Sequence, residues 1–135
     1  MTRPFRKVER IDFKAPVTWY QLDTMKLCHH AGISAKLEEK GWLCFVGGVR
    51  TYVNPRIKRA LGYANFRRGT IELNAKYLRG HRFNRKTLER KMLETFVHEV
   101  AHHLTYEFLE YRGHGKQWKD LMLWLGYKPA RLGKL

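Results

Sequence analysis

Between Leu88 and Leu104 apolar residues return every three or four positions: Leu88, Met92, Leu93, Phe96, Val97, Val100, Ala101 and Leu104. That spacing belongs to an α-helix, whose 3.6-residue turn gathers such positions on one side. Asn84 and Thr87 are both able to cap its start, so one helix over residues 86–109 is expected. Any fold for this chain has to be built around that rod.

The rod carries chemistry. His98 and His102 are four apart, about 40° from each other around the axis, so both imidazoles can face one metal ion. His103 is five from His98 and roughly 140° away, which makes it a packed or surface histidine instead. Glu99 completes a His-Glu-x-x-His arrangement, the pattern of helical zinc peptidases. Its carboxylate is too close in sequence to chelate beside His98, but it can take a proton from a water that zinc has acidified to a pKa near ~7. Glu107 and Glu110 continue along the same helix and cannot fold back to the ion. His114, between Gly113 and Gly115 beyond the expected helix end, can do so. Three histidines and an open position describe a catalytic zinc site, one Zn2+ per chain, rather than a closed structural one.

Elsewhere the pattern is mixed. PVTWYQLDTMKLCHHAGI has near-helical spacing and predicts a first helix at 16–30, started by Pro16 or Thr18 and ended by Gly32, with His29 and His30 suiting its negative pole. Ser34 is placed to cap a short helical turn, and WLCFV reads as a buried strand. YANF and TIELN flank Arg67-Arg68-Gly69 as a hairpin. A small antiparallel sheet is therefore expected over residues 42–74. KQWKDLMLWLG then makes a last short helix stopped by Gly126. The class is α+β in a single domain, 1–135: N-terminal helix, small antiparallel β-sheet, long histidine-bearing helix, short C-terminal helix. Cys28 and Cys44 form no CxxC pair and read as small buried hydrophobes.

Twenty-seven Lys and Arg against twelve Asp and Glu give a net charge of +15. The excess is concentrated: residues 50–91 hold thirteen bases and only two acids, Glu72 and Glu89. So basic a segment favours a polyanion, and nucleic acid is the expected partner. No basic helix has a clean apolar face for a membrane, and no apolar run is long enough to cross one. The basic N-terminus lacks a signal-peptide core, so an intracellular, cytoplasmic and nucleoid-associated monomer is expected.

HEVAHHLTYEF followed by HGKQWKDLMLWLGYKPAR resembles the SprT-like metalloproteases, which include bacterial SprT and the Spartan proteases of DNA–protein crosslink repair. The likeness is clearest over residues 60–131, where ANFRRGTIELNAKYL is similar to the family's strand pair ending in an Asn. It implies His98, His102 and His114 as zinc ligands, Glu99 as the catalytic glutamate, and Trp118 as the aromatic packing the last helix against the site. It also implies DNA-associated proteins as substrates. Members usually continue into a zinc ribbon or another DNA-binding module, whereas this chain stops at Leu135 without cysteine pairs; a minimal, phage-encoded form fits that length. The basic middle would then bind DNA through Arg56, Lys58, Arg59, Arg67, Arg68, Arg79, Arg82, Arg85 and Lys86. Trp42, Tyr52, Tyr63 and Phe66 offer rings for unpaired bases, which favours single-stranded or frayed DNA.

Three readings follow. The first is a zinc endopeptidase acting on DNA-bound proteins, with Tyr106, Tyr111 and Arg112 as candidate donors to the oxyanion. The second is a DNA-binding protein of the same fold with a structural or vestigial zinc. The third is a metal-dependent nuclease using the same water on a phosphodiester.

Overall fold

The computed structural model describes residues 10–11, 19–75 and 85–129. Among these residues are five strands and five helices: β1 Arg10–Ile11, β2 Trp19–Leu22, α1 Thr24–His30, α2 Ser34–Glu39, α3 Leu43–Gly47, β3 Arg50–Asn54, β4 Gly62–Asn65, β5 Thr70–Asn74, α4 Arg85–Leu109 and α5 Lys116–Trp124. The strands form one sheet in the order β1-β2-β3-β5-β4. The class is α+β, as the sequence implied.

The sheet is mixed rather than wholly antiparallel. β3 and β5 run parallel, Thr51 beside Ile71 and Val53 beside Leu73. The hairpin β4–β5 forms where YANF and TIELN placed it, but it folds back so that its second strand enters the middle of the sheet. Residues 55–61 must therefore cross the end of β5. Asn74 holds that crossing: its backbone N–H donates to the Leu61 carbonyl at 2.9 Å and its side-chain amide to the Ala60 carbonyl at 2.9 Å.

Strand alternation splits the sheet into two faces. Leu22, Val53, Ile71 and Leu73 point into the core with α4. Tyr52, Asn54, Thr70, Glu72 and Asn74 lie on the other face, yet they too are buried. Helix α4 packs on β4 and β5, with α1, α3 and α5 also against it. Gly62 permits the close approach, because a Cβ there would meet Thr95 Cγ2 at 2.9 Å and the Glu72 carbonyl at 3.0 Å. Every residue from Thr95 to Thr105 is buried, and this is why the apolar stripe of α4 is broken by polar residues with work inside the fold.

Two short segments differ from expectation. The first helix is confined to Thr24–His30, capped by the Asp23 carboxylate on the Lys26 N–H at 3.1 Å. Residues 19–22 before it are a strand, so neither Pro16 nor Thr18 starts the helix. WLCFV is not a strand: Leu43–Gly47 is a helix that exposes Cys44, while Cys28 is buried as expected. Runs of four to seven apolar residues satisfy either period, and the neighbouring turns decided. Ser34 opens α2 without a side-chain cap, and Thr87 lies inside α4 rather than at its start. Asn84 falls outside the described residues. No described helix is long and apolar enough to cross a membrane.

Candidate metal centre

His98 and His102 stand on consecutive turns of α4, both buried. The helix ends at Leu109, where Glu110 adopts the left-handed conformation at φ 53°. The Tyr111 N–H then reaches back to the Thr105 carbonyl, six residues earlier, at 3.1 Å. This reversal sends the chain back toward the two histidines and delivers His114. Tyr111 braces the returning loop, its hydroxyl accepting the Gly115 N–H at 2.5 Å. A Cβ on Gly113 or Gly115 would run into that hydroxyl, so both glycines beside His114 make room for the brace.

The three Nε2 atoms converge. His98 and His102 are 3.2 Å apart, His98 and His114 3.2 Å, His102 and His114 2.9 Å. One ring nitrogen either donates or accepts, so three of them cannot satisfy this triangle by hydrogen bonding to each other. A shared cation can. Four nitrogens placed tetrahedrally at zinc's ~2.0–2.1 Å would be about 3.3 Å apart, close to the spacing seen. Burial, then the neighbouring His114, lowers the His98 pKa to about 4. Burial, then His98, His114 and His103, lowers that of His102 to about 3. Both rings are therefore neutral at ordinary pH, as metal ligation requires. The residues fit a metal ion with three protein ligands.

Ring packing sets their orientation. Trp118, buried under the site, lies nearly parallel to His102 at 5.4 Å and edge-on to His98 at 4.6 Å and His114 at 4.8 Å. Its indole N–H points at the His98 carbonyl, 3.4 Å away. The Nδ1 atoms of His98 and His102 are buried without a hydrogen-bond partner among the described residues.

Glu99 is buried beside the triad at 3% exposure. Burial raises its pKa to about 8, opposed by a hydrogen bond from the backbone of Ala64 on β4. His103 stays out of the cluster: its Nε2 donates to the Thr70 carbonyl at 2.7 Å and ties α4 to β5. Glu107 and Glu110 are exposed and away from it. Sequence reasoning separated these correctly but could not see the Ala64 contact, because a backbone group carries no residue signature. It also missed the Tyr111 brace, for which the glycines flanking His114 were the available signal.

The candidate donors have partners. Tyr106 stacks on Phe66 at 4.2 Å, and the Arg112 guanidinium lies 4.9 Å from the Tyr106 ring and 5.7 Å from Phe66. This stack joins the β4–β5 turn to the loop before His114. Trp42 is stacked on Phe108 at 5.2 Å and Tyr52 is buried, which leaves Tyr63 as the exposed ring of the four aromatics.

Five of the nine basic residues gather at one cleft of about 660 Å³: Arg56, Lys58, Arg59, Arg67 and Arg68. Arg85 and Lys86 are instead exposed on the first turn of α4, with Arg85 3.9 Å from Glu89. Arg79 and Arg82 lie outside the described residues.

No curated protein and no solved structure is similar enough to the chain to add to this comparison. The SprT-like family model matches residues 33–132, which contain the long helix and all three converging histidines. On that match the chain belongs to the SprT-like family.

Proposed function

We propose that the protein is a zinc-dependent endopeptidase acting on DNA-associated proteins, such as those crosslinked to DNA. The observation that carries the reading is the convergence of three imidazole nitrogens on one point, with a buried carboxylate on the residue next to His98. His98, His102 and His114 would hold the ion and leave it an open position. Zinc bound there supplies Lewis acidity, lowering the pKa of a water and polarising a carbonyl.

Glu99 does the proton work. A carboxylate in an apolar pocket is a stronger base than one in water, and a cation nearby draws its pKa back toward neutrality or below. It accepts the proton of the attacking water and passes it to the amine as the peptide bond breaks. Ala64 holds the carboxylate from the strand side. β4 pairs on one side only among the described residues, so an extended peptide laid along its outer edge runs past Glu99. The basic surface supports the choice of DNA-associated substrates, since it attracts the polyanion to which they are bound.

The test is cleavage of a DNA-bound protein with zinc present, comparing no DNA, duplex and single strand, with Glu99→Gln alongside. Cleavage that needs Glu99 supports the peptidase, and a requirement for DNA supports the substrate class. DNA binding without any cleavage favours the alternative, a DNA-binding protein with a structural or vestigial zinc.

A further inference from the structure

The cleft of basic residues lies on the sheet face turned away from α4, and its construction is more specific than a charged surface. Arg56, Lys58 and Arg59 come from the crossing segment, Arg67 and Arg68 from the hairpin turn. None of the five forms an ion pair among the described residues, where the ion pairs are Arg85–Glu89, Arg90–Glu94 and Lys116–Asp120. Two asparagines fix the rim: Asn54 Oδ1 accepts the Arg56 N–H at 2.8 Å, and Asn65 Oδ1 accepts the Arg68 N–H at 3.0 Å.

At the floor is a buried carboxylate. Glu72, 4% exposed, accepts from Asn54 Nδ2 at 2.7 Å and from the Tyr63 hydroxyl at 3.0 Å, both on Oε1. Among the described residues its Oε2 has only the Thr70 hydroxyl at 3.4 Å, so acceptor capacity remains there. The Tyr63 ring, held by that hydroxyl, is 41% exposed at the cleft wall. A wall of cations over a carboxylate floor matches a ligand that is anionic outside and carries N–H donors inside.

A nucleotide has that distribution. We propose that the cleft takes one nucleotide of a single-stranded nucleic acid, with phosphates on the Arg and Lys rim and an amino-bearing base edge at Glu72. The volume is in the ~300–1,000 Å³ range of small-ligand sites. Paired bases cannot turn their edges into such a cleft, so a duplex is excluded unless it frays. Carboxylates accept from the cytosine amino group, whereas thymine presents a carbonyl at the same position. This inference rests on the reading of nucleic acid as the partner and adds where it binds: across the sheet from the metal centre.

The experiment measures binding of labelled short oligocytidylate and oligothymidylate, as DNA and as RNA, in the Glu99→Gln background so that cleavage plays no part. Arg67→Glu with Arg68→Glu, on an exposed turn, should lower affinity about 10-fold or more and flatten the salt dependence by about two units of log–log slope. Lys119→Glu with Lys128→Glu, on the helical side, serves as the matched control and should leave the salt slope closer to that of the parent. Oligocytidylate should bind about 5-fold tighter than oligothymidylate, the size of one good base contact. Glu72→Gln should erase that preference while raising affinity for oligothymidylate, since it removes a negative charge; a merely structural glutamate would leave the ratio unchanged. Equal binding of the two strands, or affinity and slope untouched by the turn substitutions, overturns the proposal. Because the assay reads no proteolysis, its failure leaves the peptidase reading intact.

Discussion

Glu99 is a buried acid whose folded environment disfavours its charge, and that has two measurable sides. Glu99→Gln keeps the shape and removes the proton acceptor, so proteolysis should fall by about 10²–10⁴-fold while zinc content stays at one per chain. The metal-free variant should also melt a few degrees higher than the parent near neutral pH, because a carboxyl that must take up a proton to be buried is gone. The pH dependence of the metal-free protein follows from the same groups. His98 and His102, at about 4 and about 3, stay neutral when folded, while the unfolded chain takes up protons below 6.5; stability therefore drops as pH falls under 6.5. Glu99, at about 8, keeps its proton when folded where the unfolded chain has lost it above 4.5, so stability drops as pH rises from 4.5 toward 8. From these groups the optimum lies near pH 6.5, and Glu99→Gln should flatten the alkaline limb; melting curves across pH check both. The His98–His102 pair was legible in the sequence because helical spacing fixes which side chains share a face, Glu99 from the His-Glu-x-x-His pattern, and His114 from its place between two glycines past the helix end. Burial was not, since nothing in the residues around Glu99 declares that the sheet will close over it.

The turn after α4 places the third histidine, and it does so with a non-glycine residue in a left-handed conformation. Glu110→Gly should relieve that, raising stability by about 1 kcal/mol, or roughly 3 °C in a domain of this size, measured by thermal melt. Tyr111→Phe should act oppositely on function: the Gly115 N–H loses its acceptor, the loop loosens, and zinc affinity should fall about 10-fold in a competition titration with a chelator. Long elements were the readable ones. Leu88 to Leu104 offer five turns of pattern, and the hairpin has a turn signature between its strands. Trp19–Leu22 and Leu43–Gly47 offer only four or five residues each, for which a strand and a helical turn bury similar side chains. The parallel pairing of β3 with β5 has no local signal at all, being decided by where the crossing segment lands.

The molecule places its core beneath the metal centre without depending on it, because Trp118, Phe96, Val97 and Leu104 are buried against neighbours from several elements. Chelation should consequently lower the melting temperature but leave the far-ultraviolet circular dichroism near that of the loaded protein; collapse of that signal would instead mark a structural ion. The overall charge and its concentration in residues 50–91 were visible in the sequence, whereas the gathering of five cations at one cleft depended on the crossing segment. Asn65 and Glu72 face the cleft while Ala64 and Ile71 face the helix, so the two sides of the β4–β5 hairpin alternate residue by residue. Length changes in this hairpin are therefore subject to a parity rule. Deleting one residue within β5 would turn the Glu72 carboxylate toward the core and Ile71 outward, so a single in-frame codon loss would disable the metal side and the cleft side together. An added residue at the Arg67-Arg68 turn, outside the paired registers, would be far better tolerated. Among natural variants of this chain, insertions should collect at the turn and be absent from the strands.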